Sequence, residues 1–237
     1  MVEFRVIYIL APRLAMGGMA NVKLVGGAIV SFSFLFITPC AIRGEGPTYS
    51  STAKTETSLN KHVRHFVTAY IKNNKEELLD IQKRSRRPFA MTDSVFGSYN
   101  LPLQLKYLAV IESDLKTTAV SKVGAVGPWQ LMPETARLLG LKVSGTYDER
   151  RHYGKSTKAA ALYLRDLYAE FGDWLLVLAA YNGGPGPVHH AMRVSGSRNF
   201  WTLQYLLPAE SRLHVKKFVA AMYYFEGNAH AAQGKFI

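Results

Sequence analysis

From Leu101 to Gly227 apolar residues recur at helical spacing and each run is closed by glycine or proline, with no convincing stretch of alternating apolar and polar residues. A chain punctuated in this way packs helices against helices. Leu101 to Ser113 opens with Pro102 in its first turn, and Pro133 to Leu139 stops at Gly140. The segment after Ser156 carries Ala160, Leu164, Leu167, Tyr168 and Phe171 at helical spacing before Gly172. Asp173 caps Trp174 to Ala180, which runs into a turn at Gly183, Gly184, Pro185 and Gly186; Pro208 then opens a last long helix to Phe225. Residues 59–84 read as two short helices broken at Asn73-Asn74, and 85–98 as a basic connector bearing Pro and Gly. The expected fold is mostly α: a helical domain over 99–227 behind a helical extension and connector at 59–98, with a C-terminal tail at 228–237.

With 48% hydrophobic and 19% charged residues over 237 positions, the chain can bury one full core, and wholesale disorder is excluded. Its single cysteine, Cys40, excludes an internal disulfide framework, a Cys-based zinc site and a CxxC redox motif. The balance of 29 Lys and Arg against 17 Asp and Glu, a net +12, points to an anionic partner. Nucleic acid, an acidic membrane surface and a carboxylate-bearing polymer all suit such a field. The run Lys83, Arg84, Arg86, Arg87 reads first as a solvated face.

Nineteen uncharged residues, Leu24 to Ile42, lie between Lys23 and Arg43. We read residues 1–41 as an export signal, with Met19 as the initiator because MANVK makes an ordinary charged start, and 42–58 as a flexible linker. Retention of this segment as a membrane anchor, or lipidation at Cys40, is the alternative, although Pro39 sits where lipid-acceptor sites resemble Gly, Ala or Ser. The exported part keeps +10. The expected location is the periplasm or cell envelope, where nucleic acid is rarely met.

On a helical wheel at about 100° per residue, Glu112 falls between Leu101, Leu105 and Leu108, a carboxylate inside an apolar stripe. No cation stands three or four positions away, and the helix C-terminus presents the negative end of its dipole, so the expectation is a raised pKa and a protonated acid near neutrality. Such a group suits general-acid cleavage of a glycosidic bond. The competing reading is a core ion pair with an arginine from elsewhere in the fold. A loop, Ser121 to Gly127, follows that helix and favours the functional reading, since loops beside rigid helices carry binding residues.

The loop leads into Gly127-Pro128-Trp129-Gln130-Leu131-Met132-Pro133, and Ala180-Tyr181-Asn182-Gly183-Gly184 ends a later helix. Glu112-Ser113, then G-x-x-Q with Met-Pro, then A-Y-N-x-G, in this order, resemble the catalytic (SLT) domain of soluble lytic transglycosylases, glycoside hydrolase family 23. YDERR at Tyr147 to Arg151 and DWLL at Asp173 to Leu176 resemble the D-type membrane-bound lytic murein transglycosylases in particular. The likeness covers about residues 99–225. It implies a lysozyme-like helical domain, without a cofactor, that cleaves the β-1,4 bond between N-acetylmuramic acid and N-acetylglucosamine in peptidoglycan glycan strands and leaves a 1,6-anhydromuramic end. Glu112 would be the acid and then the base. Ser113 and Gln130 would position the sugar or the acid, Tyr181 would bond near Glu112, Asn182 would contact the acetamido group, and Trp129 and Met132 would line the cleft. Plain core packing remains the competing role for Met132 and Trp129.

The family motif E-T-x-x-Y-V stands here as Glu210-Ser211-Arg212-Leu213-His214-Val215, so His214 replaces the tyrosine. That puts the orientation of the catalytic glutamate in question, because imidazole titrates near neutrality and phenol does not. The D-type resemblance implies a LysM-like module, and residues 226–237 do not read as one. Two alternatives accompany the transglycosylase reading: a hydrolase resembling goose-type lysozyme, with water as acceptor, and a wall-binding scaffold without turnover. Gly154-Lys155-Ser156 lacks the rest of a phosphate-binding loop, and the adjacent His189 and His190 point about 100° apart on a helix, so neither a nucleotide nor a metal site is expected.

Overall fold

The computed structural model describes residues 61–231. The export segment, Met19, Cys40, the linker at 42–58 and the end of the chain after residue 231 lie outside the described residues. The elements are α1 (Lys61–Asn73), α2 (Lys75–Arg84), α3 (Arg86–Ser98), α4 (Tyr107–Ser113), α5 (Pro133–Leu138), α6 (Tyr153–Phe171), α7 (Trp174–Gly183), α8 (Pro185–Ser195), α9 (Phe200–Leu203) and α10 (Ala209–Ala231). Isolated bridge pairings such as Val126 with Leu131 stand in place of strands among the described residues. The fold is mostly α and lysozyme-like.

At the centre is α7, whose residues from Trp174 to Ala180 are all buried. A helix apolar all round requires walls on every side, and α6, α8 and α10 supply them. Asp173 Oδ1 accepts the Leu176 N–H at 2.9 Å as its N-cap. In turn α10 lies across α1, α4 and α7, which carries His214 toward the end of α4. Among the described residues no helix is long and apolar enough to cross a membrane.

Three sequence readings change. Residues 86–98 form a helix, α3, in place of a connector: Pro88 is the third helical residue, where its missing N–H costs nothing, and Thr92 and Phe96 bury one face. The expected helix from Leu101 starts as a 3-10 turn at Leu103–Lys106 and becomes α4 only at Tyr107. The glycine and proline run after Asn182 is not a loop: Pro185 occupies the first position of α8, where its fixed φ suits helix entry. The last helix continues past Phe225, with a non-helical break at Gly227.

One buried arginine holds the loop between α4 and α5. Arg150 Nη1 donates to the carbonyls of Gly124 and Leu131, 2.9 Å each, while its Nε and Nη2 bind both oxygens of Asp148 at 2.7–3.2 Å. These Arg150 bonds hold the Asp148 carboxyl below its usual range. The Lys142 N–H, and after it the Lys155 ammonium, hold Glu149 below its own. Both folded values are depressed, so this stabilisation is present above the ordinary carboxylate range and is lost as pH falls through the folded values. We predict an unfolding temperature that is level from neutrality to about pH 4.5 and then falls, less steeply in Asp148→Asn. Parallel falls in both proteins would contradict this role.

Candidate active site

Glu112 lies in the last turn of α4, and the helix ends two residues later because Asp114 adopts the left-handed conformation with φ 54°. Leu115 follows at φ 64°. The turn closes with bonds from the Asp114 N–H to the Val110 carbonyl (2.8 Å) and from the Leu115 N–H to the Ala109 carbonyl (3.1 Å). Consecutive left-handed residues that are not glycine carry strain. Asp114 does not back Glu112: its carboxylate binds Lys116 Nζ at 2.8 Å.

The carboxyl of Glu112 is not alone in its apolar stripe. His214 Nε2 lies 2.9 Å from Glu112 Oε1, with the side chains 9% and 14% exposed. The competing reading named an arginine; the partner is His214, the residue at the family's tyrosine position. His214 Nδ1 is buried and has no hydrogen-bond partner among the described residues. The imidazole therefore spends its one protein contact on the acid.

The 127–132 loop is tied to both walls of this pair through its backbone. Ser113 Oγ donates to the Pro128 carbonyl at 2.9 Å, from α4, and Tyr181 Oη donates to the Trp129 carbonyl at 2.7 Å, from α7. Gln130 takes a positive φ of 44°, and its side-chain amide donates to the Gly127 carbonyl at 2.8 Å. At Gly127, φ is +83° and an added Cβ would meet the Arg150 carbonyl oxygen at 2.0 Å, so only glycine allows this approach. Gly183 performs a similar service on α7, where a Cβ would lie 2.4 Å from Ser211 Oγ. That hydroxyl donates to Asn182 Oδ1 at 3.0 Å and fixes the amide.

The structure thus brings Glu112, Ser113, Gln130, Tyr181, Asn182 and His214 into one constellation built from α4, the loop, α7 and α10. It favours one of the alternatives left open for each of two residues. Trp129 is fully buried, its ring 5.4 Å from Phe96 and its indole N–H donating to Thr157 Oγ1, so it supports the loop from beneath and is not a wall of the cleft. Ser113 is buried and spends its hydroxyl on backbone carbonyls, a positioning role and not a sugar contact. Met132 stays partly exposed at the start of α5. The residue that sequence reasoning undervalued is Arg150, for which the signal was a charged YDERR run holding an aspartate two positions before a burial-prone arginine. His189 pairs with Glu170 and packs on Phe171, and no group of three His, Cys, Asp or Glu that could hold a metal occurs among the described residues.

A helical domain presenting one carboxyl acid beside a strapped loop has the parts needed for general-acid chemistry. Residues 97–204 match the family model of the transglycosylase SLT domain. The chain is 36% identical over 166 residues to the membrane-bound lytic murein transglycosylase D of Escherichia coli K12, which covers 68% of this chain and 36% of that relative. It therefore spans about a third of that relative's length. An inactive mutant of the lytic transglycosylase Slt from Pseudomonas aeruginosa superimposes with a TM-score of 0.52 at 25% identity, over 60% of this chain and 24% of that one. The 70-kDa soluble lytic transglycosylase in complex with bulgecin A gives 0.54 at 23% identity, over 67% and 29%, and shares the fold.

Proposed function

We propose that this chain is a lytic transglycosylase that cleaves the β-1,4 bond between N-acetylmuramic acid and N-acetylglucosamine in peptidoglycan, closing a 1,6-anhydro ring on the muramic residue. The observation that carries the reading is the Glu112–His214 contact, one partly buried acid oriented by one imidazole. A proton on Nδ1 would bury a donor with no acceptor, at a cost of about 1–3 kcal/mol, whereas a proton on Nε2 leaves only a lone pair there. With its proton on Nε2 the imidazole donates to Oε1. Oε2 is left to hold the acid proton.

In the first step Glu112 Oε2 gives its proton to the glycosidic oxygen as the bond from C1 to that oxygen breaks. The carboxylate then accepts the proton of the muramic C6 hydroxyl as O6 attacks C1, which restores the acid. One carboxyl suffices, since the nucleophile belongs to the substrate. His214, in place of the family tyrosine, donates a bond to the acid throughout. With the Asn182 carbonyl oxygen taken by Ser211, its amide N–H groups are the donors left for the sugar's acetamido carbonyl, and Gln130 and Met132 border the sugar from the loop side. The chain acts in the cell envelope after export, a reading supported by the uncharged run from Leu24 to Ile42 and by the net charge.

The test is incubation of the full chain with purified wall followed by mass spectrometry of the soluble fragments. Fragments ending in 1,6-anhydro sugars, one water lighter than reducing ends, are expected. Reducing ends would make water the acceptor, and no soluble fragments would overturn the enzymatic reading.

A further inference from the structure

A cavity of about 390 Å³ opens where the N-terminal helices meet the catalytic domain. Tyr70 of α1, Glu77 of α2, Asp114 after α4 and Lys217 of α10 line it, over an apolar floor of Leu78, Ile81 and Val110. Its volume falls in the range of small-molecule sites. Both α1 and α2 precede the 97–204 family match. The walls are shared with the acid–imidazole pair: Ile111 and Asp114 flank Glu112 in sequence, and Leu213 and Lys217 bracket His214 on α10. Arg84, at the end of α2, donates to the Asp114 carbonyl, so the extension grips the strained turn that follows the acid.

The charges of this cavity are unusual for a basic chain. Glu77 and Lys217 both line it, yet neither has a hydrogen bond or ion pair among the described residues. Burial, and then the carboxylates of Glu77 and Asp114, push the Tyr70 phenol above its ordinary pKa. Asp114 is already paired with Lys116, so Glu77 and Lys217 are the charges that a neutral sugar would leave unanswered. A simple anion would face the Glu77 carboxylate, and a simple cation would face Lys217. The complement is a zwitterion, with an ammonium for Glu77, a carboxylate for Lys217 and an aliphatic stem for the floor.

We propose that this cavity binds the zwitterionic end of a peptide stem carried by the glycan strand, an inference that takes the source of the peptide from the function proposed above. Docking there holds the stem against the turn after Glu112 and favours strands that bear stems over bare ones. Because Glu77 is exposed, binding is weak and falls as salt rises.

Free stem peptides released from wall by an amidase test this directly, since they bind without being cleaved. Added to the wild-type full chain, they should shift the Tyr70 ring resonances in NMR, assigned by their loss in Tyr70→Phe. Acetylating the peptide amines should weaken binding about tenfold, as should Lys217→Met, since each removes one charge of a complementary pair. Equal binding by the acetylated peptide, or no shift up to about 10 mM, well beyond the weakest affinity such a site would show, would overturn the proposal. So would stem-free glycan strands that shift Tyr70 when the peptides do not. A chain that binds the peptides and yet releases no wall fragments would overturn the transglycosylase reading and leave the peptide site standing.

Discussion

Glu112→Gln should abolish wall lysis, with turnover falling by about a thousandfold or more, the scale of a lost general acid. The glutamine keeps an oxygen where Oε1 stood, so the His214 Nε2–H retains its acceptor and stability should change by less than about 1 kcal/mol. A variant that is folded but inactive separates chemistry from structure. His214→Phe should lower kcat by about ten- to a hundredfold with little change in KM, because the imidazole acts through the acid and not on the sugar. For the same reason the double variant should be no worse than Glu112→Gln alone. Additive losses in the double variant would give His214 a role of its own.

Gly127→Ala should be the most damaging single change to the scaffold. It adds a Cβ 2.0 Å from the Arg150 carbonyl oxygen at a residue with φ +83°, so the overlap cannot be relieved without moving the strap on the loop. A loss of about 3–5 kcal/mol is expected in denaturant unfolding, the upper range for single substitutions. Activity should fall with it, as the same loop carries Gln130. Gly124→Ala is the control: φ there is +89° with nothing within 4 Å, so only conformational strain of about 1–2 kcal/mol applies. Equal losses at the two glycines would show that the close approach is not what requires Gly127.

Much of the fold was legible because proline and glycine mark most of its helix boundaries. Where the reading failed, it took proline as a breaker when the residue sat in a first helical turn, as Pro88 and Pro185 do. The acid was legible from one helix, since a carboxylate in line with Leu105 and Leu108 stands out on any wheel. Its partner was legible only through the family motif, where His214 stands in the tyrosine position, because the contact spans 102 positions, a separation no local pattern reports. Trp129 shows the converse limit: a tryptophan within a functional motif looks like a sugar platform, and only the packing of Phe96 and Thr157 around it shows that it holds the loop up. The cavity between the extension and the catalytic domain was invisible for the same reason, since its charged residues come from three separate segments.

The central claim is that Glu112 hands its proton to a sugar oxygen and takes one back from the sugar, with no water entering the products. Digestion of purified wall in water enriched in oxygen-18 tests this most directly. The account predicts anhydro-ended fragments free of the heavy isotope from the native chain, and none of them from Glu112→Gln. One heavy oxygen at each newly formed end, or undiminished release by the variant, would contradict it.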